Sequence, residues 1–210
     1  MKGLMRRDFL LLAPMLGLFS LAAAAMSVFS IAAVSSIWSP FLLVFCVSVL
    51  LTPFSYDGQN HWMSYAAALP EGRRAAVTAR YTLILLLDGA ALALLLVTGI
   101  VVALRGSAVI LLAMPLYAGV LLLSTAGLPL ALYKLSGAKG QFAALAVVVA
   151  MTLALMAGGM ILETTKNDPA SGSGPGVWMP ILGFVLLALG VVSMRASWKS
   201  SLKTVERQDL

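Results

Sequence analysis

Few residues in this 210-residue chain are of a type that ionises, ligates or attacks. There is one histidine, His61, and one cysteine, Cys46. A multi-histidine metal cluster and an internal disulfide are therefore both excluded. No His-Glu-x-x-His run, no Gly-x-Ser-x-Gly elbow and no Gly-x-x-x-x-Gly-Lys-Ser/Thr loop occurs, so the zinc-protease, esterase and P-loop chemistries lack their frames. His61 lies in a polar loop and reads as a surface or interface residue rather than a catalyst. Cys46 lies in an apolar run and reads as a packing residue. We expect no catalytic residue, no metal and no cofactor held by this chain. Uphill work must then draw on an ion gradient or on another subunit.

Intramembrane charge bears on that choice, because ion-driven transporters keep acids, His or Lys in their spans. Only Asp88 qualifies, about 12 Å along its helix from Arg80 at roughly 1.5 Å per residue. Tyr81, Asp88, Leu92, Leu95 and Gly99 share one narrow stripe of that helix, expected to face the bundle. Asp88 and Gly99 are thus candidates for a transport pathway. For Asp88 three readings stand: contact with substrate or a pathway water, a structural hydrogen bond to a Ser or Thr on a neighbouring helix, or protonation in place.

The elements positioning these residues are membrane helices. The chain is 61% hydrophobic and 10% charged, with a mean hydropathy of +1.00, whereas soluble domains carry about 25% charged residues. Runs long enough to cross a hydrocarbon core recur along it, and backbone satisfaction in lipid makes them helices. We therefore expect an all-α polytopic membrane protein of six spans, near Phe9–Val34, Ile37–Tyr56, Tyr81–Leu104, Ser107–Leu132, Gln141–Leu162 and Val177–Met194. Of fourteen Lys and Arg, only Arg105 and Lys166 fall on one side of this plan. The positive-inside rule then places both termini and the loop between the second and third spans in the cytoplasm. The net charge of +6 follows from the same bias, and no nucleic-acid partner is expected.

Arg6-Arg7-Asp8-Phe9-Leu10 mimics a twin-arginine export signal, but five further hydrophobic segments follow. An uncleaved first span is expected, with residues 1–8 as an interfacial elbow on anionic headgroups. Residues 195–210 read as a short, charged cytoplasmic tail ending as a surface helix. The outer connections are small; Glu163–Gly176 alone has length, and its Gly/Ser/Pro content reads as a flexible loop. Pro14, Pro53, Pro115 and Pro129 loosen their helices, and the Gly158-Gly159 pair is the best hinge candidate.

Residues 54–80 form the one long polar interruption, FSYDGQNHWMSYAAALPEGRRAAVTAR. Trp62, Tyr65 and Leu69 follow i, i+3, i+7 spacing and give a short helix one anchoring face, made of types enriched at interface hot spots. Pro70 ends that helix, since the residue before proline is pushed out of the helical region. Arg73, Arg74 and Arg80 then open the third span.

The run Phe54-Ser55-Tyr56-Asp57, then Trp62, Leu69-Pro70, Arg73 or Arg74, Val77 and Arg80-Tyr81, resembles the signature loop of ABC-2 family transporter proteins. These are small six-span, type-2 ABC exporter permeases, including permeases resembling those of the phenol-soluble modulin exporter. Asp8-Phe9 after a basic start fits the same family. The resemblance implies a bacterial cytoplasmic-membrane permease that pairs with a second permease copy, identical or different. It implies a separate ABC ATP-binding subunit, carrying the ATP and Mg, docked on the 54–80 loop. Tyr56, Asp57, His61, Trp62, Tyr65, Leu69, Pro70, Arg73 and Arg74 would then be coupling residues, and the cargo an amphipathic peptide or hydrophobic compound exported past membrane lipid. An ion-coupled carrier using Asp88 and a non-transport assembly or immunity protein are the competing readings.

Overall fold

A computed structural model describes residues 2–33, 72–106, 109–135, 138–167 and 178–207, together with 41, 43–44, 47–52 and 54. Five helices are formed: α1 (Lys2–Ala33), α2 (Gly72–Leu104), α3 (Val109–Lys134), α4 (Ala138–Asn167) and α5 (Trp178–Arg207). Among the described residues there is no strand. All five helices contain a stretch long and apolar enough to cross a membrane. The expected second span lies between α1 and α2, where every described residue from 41 to 54 is helical; the count of six rests on hydropathy for that segment. Large apolar side chains such as Leu21, Leu153 and Val192 are exposed, as they are on helices solvated by lipid.

The helix ends depart from the hydropathy boundaries. α2 has 33 residues, about 50 Å at 1.5 Å per residue, well beyond a core of about 30 Å. Its first turns, 72–80, therefore project past the span. α1 begins at Lys2, so most of the expected elbow is instead the first two turns of one continuous helix. Nothing between Lys2 and Phe9 breaks a helix, and Asp8 is buried. α5 likewise runs without interruption to Arg207, and α4 continues to Asn167, into what sequence marks as the start of the outer loop. α1 passes through Pro14, and α3 through Pro115 and Pro129, as helix. The hinge candidates Gly158 and Gly159 also lie inside continuous helix.

Buried residues of α2 explain how it packs. Val77, Tyr81, Ile84, Asp88, Ala91, Leu95, Thr98 and Val102 are all buried, and they alternate in steps of four and three. That is the 3.5-residue seam of helices packed nearly along one another. The stripe expected through Tyr81, Asp88, Leu95 and Gly99 is buried as predicted, with Leu92 half-buried beside it.

Two parallel pairs make up the bundle. α1 lies along α2, with Asp8 near Arg80, Thr98 Oγ1 3.2 Å from Ser27 Oγ, and Arg105 Nη1 donating to Ile31 O at 3.0 Å. α3 lies along α5 in the most extensive helix–helix contact among the described residues, and glycine brings the two backbones together. A Cβ on Gly183 would fall 2.6 Å from Leu116 N, and one on Gly119 would fall 2.7 Å from the backbone of Leu186. Small residues at such crossings are the usual device of membrane helices. α4 packs on α3. The two pairs meet where α2 turns into α3 at Arg105-Gly106; Gly106 holds a φ of 101° that only glycine adopts cheaply.

Candidate functional site

Polar side chains are buried at two levels of this bundle. The first level lies at the end where α1 and α2 begin and α3 and α5 finish. Arg80 and Asp8, both buried, form an ion pair with Nε to Oδ2 at 3.7 Å. Arg7 approaches the other carboxylate oxygen at 3.4 Å. The Arg80 guanidinium lies over the Phe54 ring, 4.6 Å from its centroid. Phe54 in turn meets Tyr133 edge-on, with centroids 5.8 Å apart. Four parts of the chain converge on one cation: α1, Phe54, α2 and α3. Burying it is tolerable because a carboxylate and an aromatic face replace its water.

Beside it, the Tyr81 hydroxyl lies 2.7 Å from Ser197 Oγ and 2.9 Å from Ser201 Oγ, both on α5. Ser197 donates its only proton to Ala126 O on α3, at 2.6 Å. Tyr81 must therefore donate to Ser197, and Ser201 donates to Tyr81. A single directed chain of hydrogen bonds thus joins α5, α2 and α3. Met194, Ser197, Ser201 and Val205 are buried in steps of three and four, so the segment expected as a charged tail ending in a surface helix is helical to Arg207 and packs one face against the bundle.

Asp88 occupies the second level. It sits inside the apolar run of α2 between Tyr81 and Leu104 and is 1% exposed. Thr125 Oγ1 of α3 donates to its Oδ2 at 2.8 Å, while also lying 2.9 Å from Leu121 O. Asp88 Oδ1 has no hydrogen-bond partner among the described residues. Of the three readings open for Asp88, the hydrogen bond to a Thr on a neighbouring helix is present, and the spare oxygen leaves a water or substrate contact open. Gly99 is placed elsewhere: a Cβ there would meet Ile110 and Leu111 side chains at 3.0 and 3.1 Å, in the α2–α3 packing near the turn.

Most of the expected coupling residues, Tyr56, Asp57, His61, Trp62, Tyr65, Leu69 and Pro70, lie outside the described residues. Arg73 is in α2, but its side chain is outside them too; Arg74 is exposed on the first turn of α2. What the structure does bring together is the frame of that loop. Phe54 at its start and Arg80 at its end are in contact. Thr125, Ser197 and Ser201 were not singled out from sequence. For the serines the signal was their spacing of four, continued by Val205; nothing marked Thr125 among apolar neighbours. No group of three or more His, Cys, Asp or Glu among the described residues could hold a metal.

Neither a curated protein nor a solved structure matches the chain significantly. A family model, described as "ABC-2 family transporter protein", matches residues 3–206. Such membrane components do not hydrolyse ATP themselves and work with an ATP-binding subunit. That match takes in all five helices almost to their ends, and with them both buried polar levels: the chain belongs to the ABC-2 family of transporter proteins and is a membrane-spanning component of an ABC-type transporter.

Proposed function

We propose that this chain is the permease subunit of an exporter driven by a separate ATPase docked on residues 54–80. The observation that carries this reading is the contact between Phe54 and Arg80 at the two ends of that loop. A partner pushing on the loop acts on a closed unit whose base is tied to α1 through Asp8, to α3 through Phe54 and Tyr133, and to α5 through Tyr81. The loop is the input and the polar base its transmission. Trp62, Tyr65 and Leu69 supply the apolar anchors, with Tyr56, Asp57, His61, Pro70, Arg73 and Arg74 around them. The unit works as a pair with a second permease copy in a bacterial cytoplasmic membrane, basic end inward. Its cargo is an amphipathic peptide or hydrophobic compound, consistent with a bundle that carries one mid-membrane acid.

Co-purification tests the docking. The ATP-binding subunit should accompany the intact chain and be lost from Trp62→Ala/Leu69→Ala. Retention of the ATPase by that variant refutes the assignment. The spare oxygen of Asp88 supports a second reading, ion-coupled transport. Under it, flux in proteoliposomes follows a proton gradient without ATP and stops in Asp88→Asn. Under the first, flux needs ATP, and Asp88→Asn, which keeps the hydrogen bond from Thr125, retains most of it.

A further inference from the structure

Arg74 and Thr78 of α2 and Trp198, Lys199, Leu202 and Lys203 of α5 line an open groove of ≈ 490 Å³ at the basic end of the bundle. Three of these six residues are cations and none is an acid. The groove's position along α5 says what kind of molecule reaches it. Residues seven apart on a helix keep nearly the same bearing, drifting about 20°. Val185, Val192 and Lys199 are seven apart; so are Leu182, Leu189, Ala196 and Lys203; so are Phe184, Val191 and Trp198. All of the apolar members but Ala196 are large, and all are exposed. Three stripes that are apolar through the span therefore end in a lysine, a lysine and a tryptophan at the groove.

We propose that this groove binds the headgroup of an anionic phospholipid from the leaflet on the basic side, with its acyl chains lying along Leu189, Val191 and Val192, the large aliphatic members of the three stripes within about 15 Å of Lys199. The two halves of an anionic phospholipid match this order: anionic at the cations, hydrocarbon above them. Trp198 then occupies the interfacial level where amphipathic rings settle. An acidic soluble protein would account for the cations but not for the apolar stripes. A second copy of this chain, packed by the same face about a twofold axis, would set lysines against lysines.

The test uses the full chain in nanodiscs, without the ATPase, so its failure is distinct from failure of the docking assignment. Trp38, Trp62 and Trp178 are replaced by Phe, leaving Trp198 as the reporter. Phosphatidylglycerol or phosphatidylcholine, brominated on the upper acyl chain, is then added to a neutral lipid background. The expected result is stronger quenching by phosphatidylglycerol, with the preference falling about fivefold for each cation removed in Lys199→Gln and Lys199→Gln/Lys203→Gln. Lys199→Arg/Lys203→Arg keeps the preference, as does Lys134→Gln/Lys139→Gln, which removes the same charge from the same end elsewhere. Equal quenching by the two lipids overturns the proposal, as does an equal loss in the Lys134/Lys139 control. Absence of quenching by either lipid overturns it in favour of a protein covering the face. Abolition of the preference by millimolar inorganic phosphate overturns it in favour of a free-anion site.

Discussion

Arg80 is the residue on which most of the base depends, because its charge is buried and its counter-charge comes from another helix. Removing one partner of such a pair leaves the other uncompensated, which costs about 3–5 kcal/mol, whereas removing both together costs much less. Asp8→Asn should therefore lower the melting temperature of the purified protein markedly. Asp8→Leu/Arg80→Met should recover most of the loss, with the cation–π contact to Phe54 forfeited. Melting curves in detergent decide it; a double variant worse than Asp8→Asn would mean the pair is not a closed unit. Asp8, Phe54 and Arg80 were legible as separate parts of a signature, but not as residues that meet. Arg80 reaches back 72 residues to Asp8 and 26 to Phe54, and local spacing carries no information about contacts at such separations. Asp88 was more legible. An acid in the middle of an apolar helix demands a partner, and a hydroxyl on a neighbouring helix was one of three answers that sequence allowed.

At the scale of elements, hydropathy located the spans but not where the helices end. Charge marks a span's limit, yet Lys, Arg, Glu and Ser are acceptable inside a helix, so α1, α2 and α5 run on through their basic ends. The α3–α5 crossing was legible in principle. Gly183 and Gly190 stand seven apart on one bearing of α5, but glycine is common in membrane helices, and no residue count says which glycine lies under a neighbour. Geometry does, and it separates two substitutions that look alike in sequence. Gly183→Val places a Cβ 2.6 Å from Leu116 N, backbone that has no rotamer to yield, and should cost at least the 1–3 kcal/mol or so typical of overpacking. Gly89→Ala meets nothing within 4 Å and should leave stability unchanged or slightly higher, since alanine favours helix by about 1 kcal/mol. Thermal denaturation of both variants, side by side, checks the contrast.

For the whole molecule, hydrogen bonds bridge the two parallel pairs, α1 with α2 and α3 with α5, at two levels: Tyr81 to the α5 serines and Asp88 to Thr125. Tyr81→Phe should cost about 1–2 kcal/mol, the usual range for a hydrogen bond lost together with its stranded partner. Because Asp88 still holds Thr125, the pairs should stay associated, and the change should show as faster protease cleavage near the basic end rather than as loss of the folded monomer. Cleavage spread evenly along the chain would contradict this. The covalent turn at Gly106 makes the arrangement a pair of levers on one fulcrum. Tyr81 is 25 residues from Gly106 and Asp88 is 18, which is about 38 Å and about 27 Å of helix at 1.5 Å per residue. Any spreading about that fulcrum moves Tyr81 about 1.4 times as far as Asp88. On arm length, spreading about that turn stretches the Tyr81 bonds beside the loop further than the bond deeper in the span.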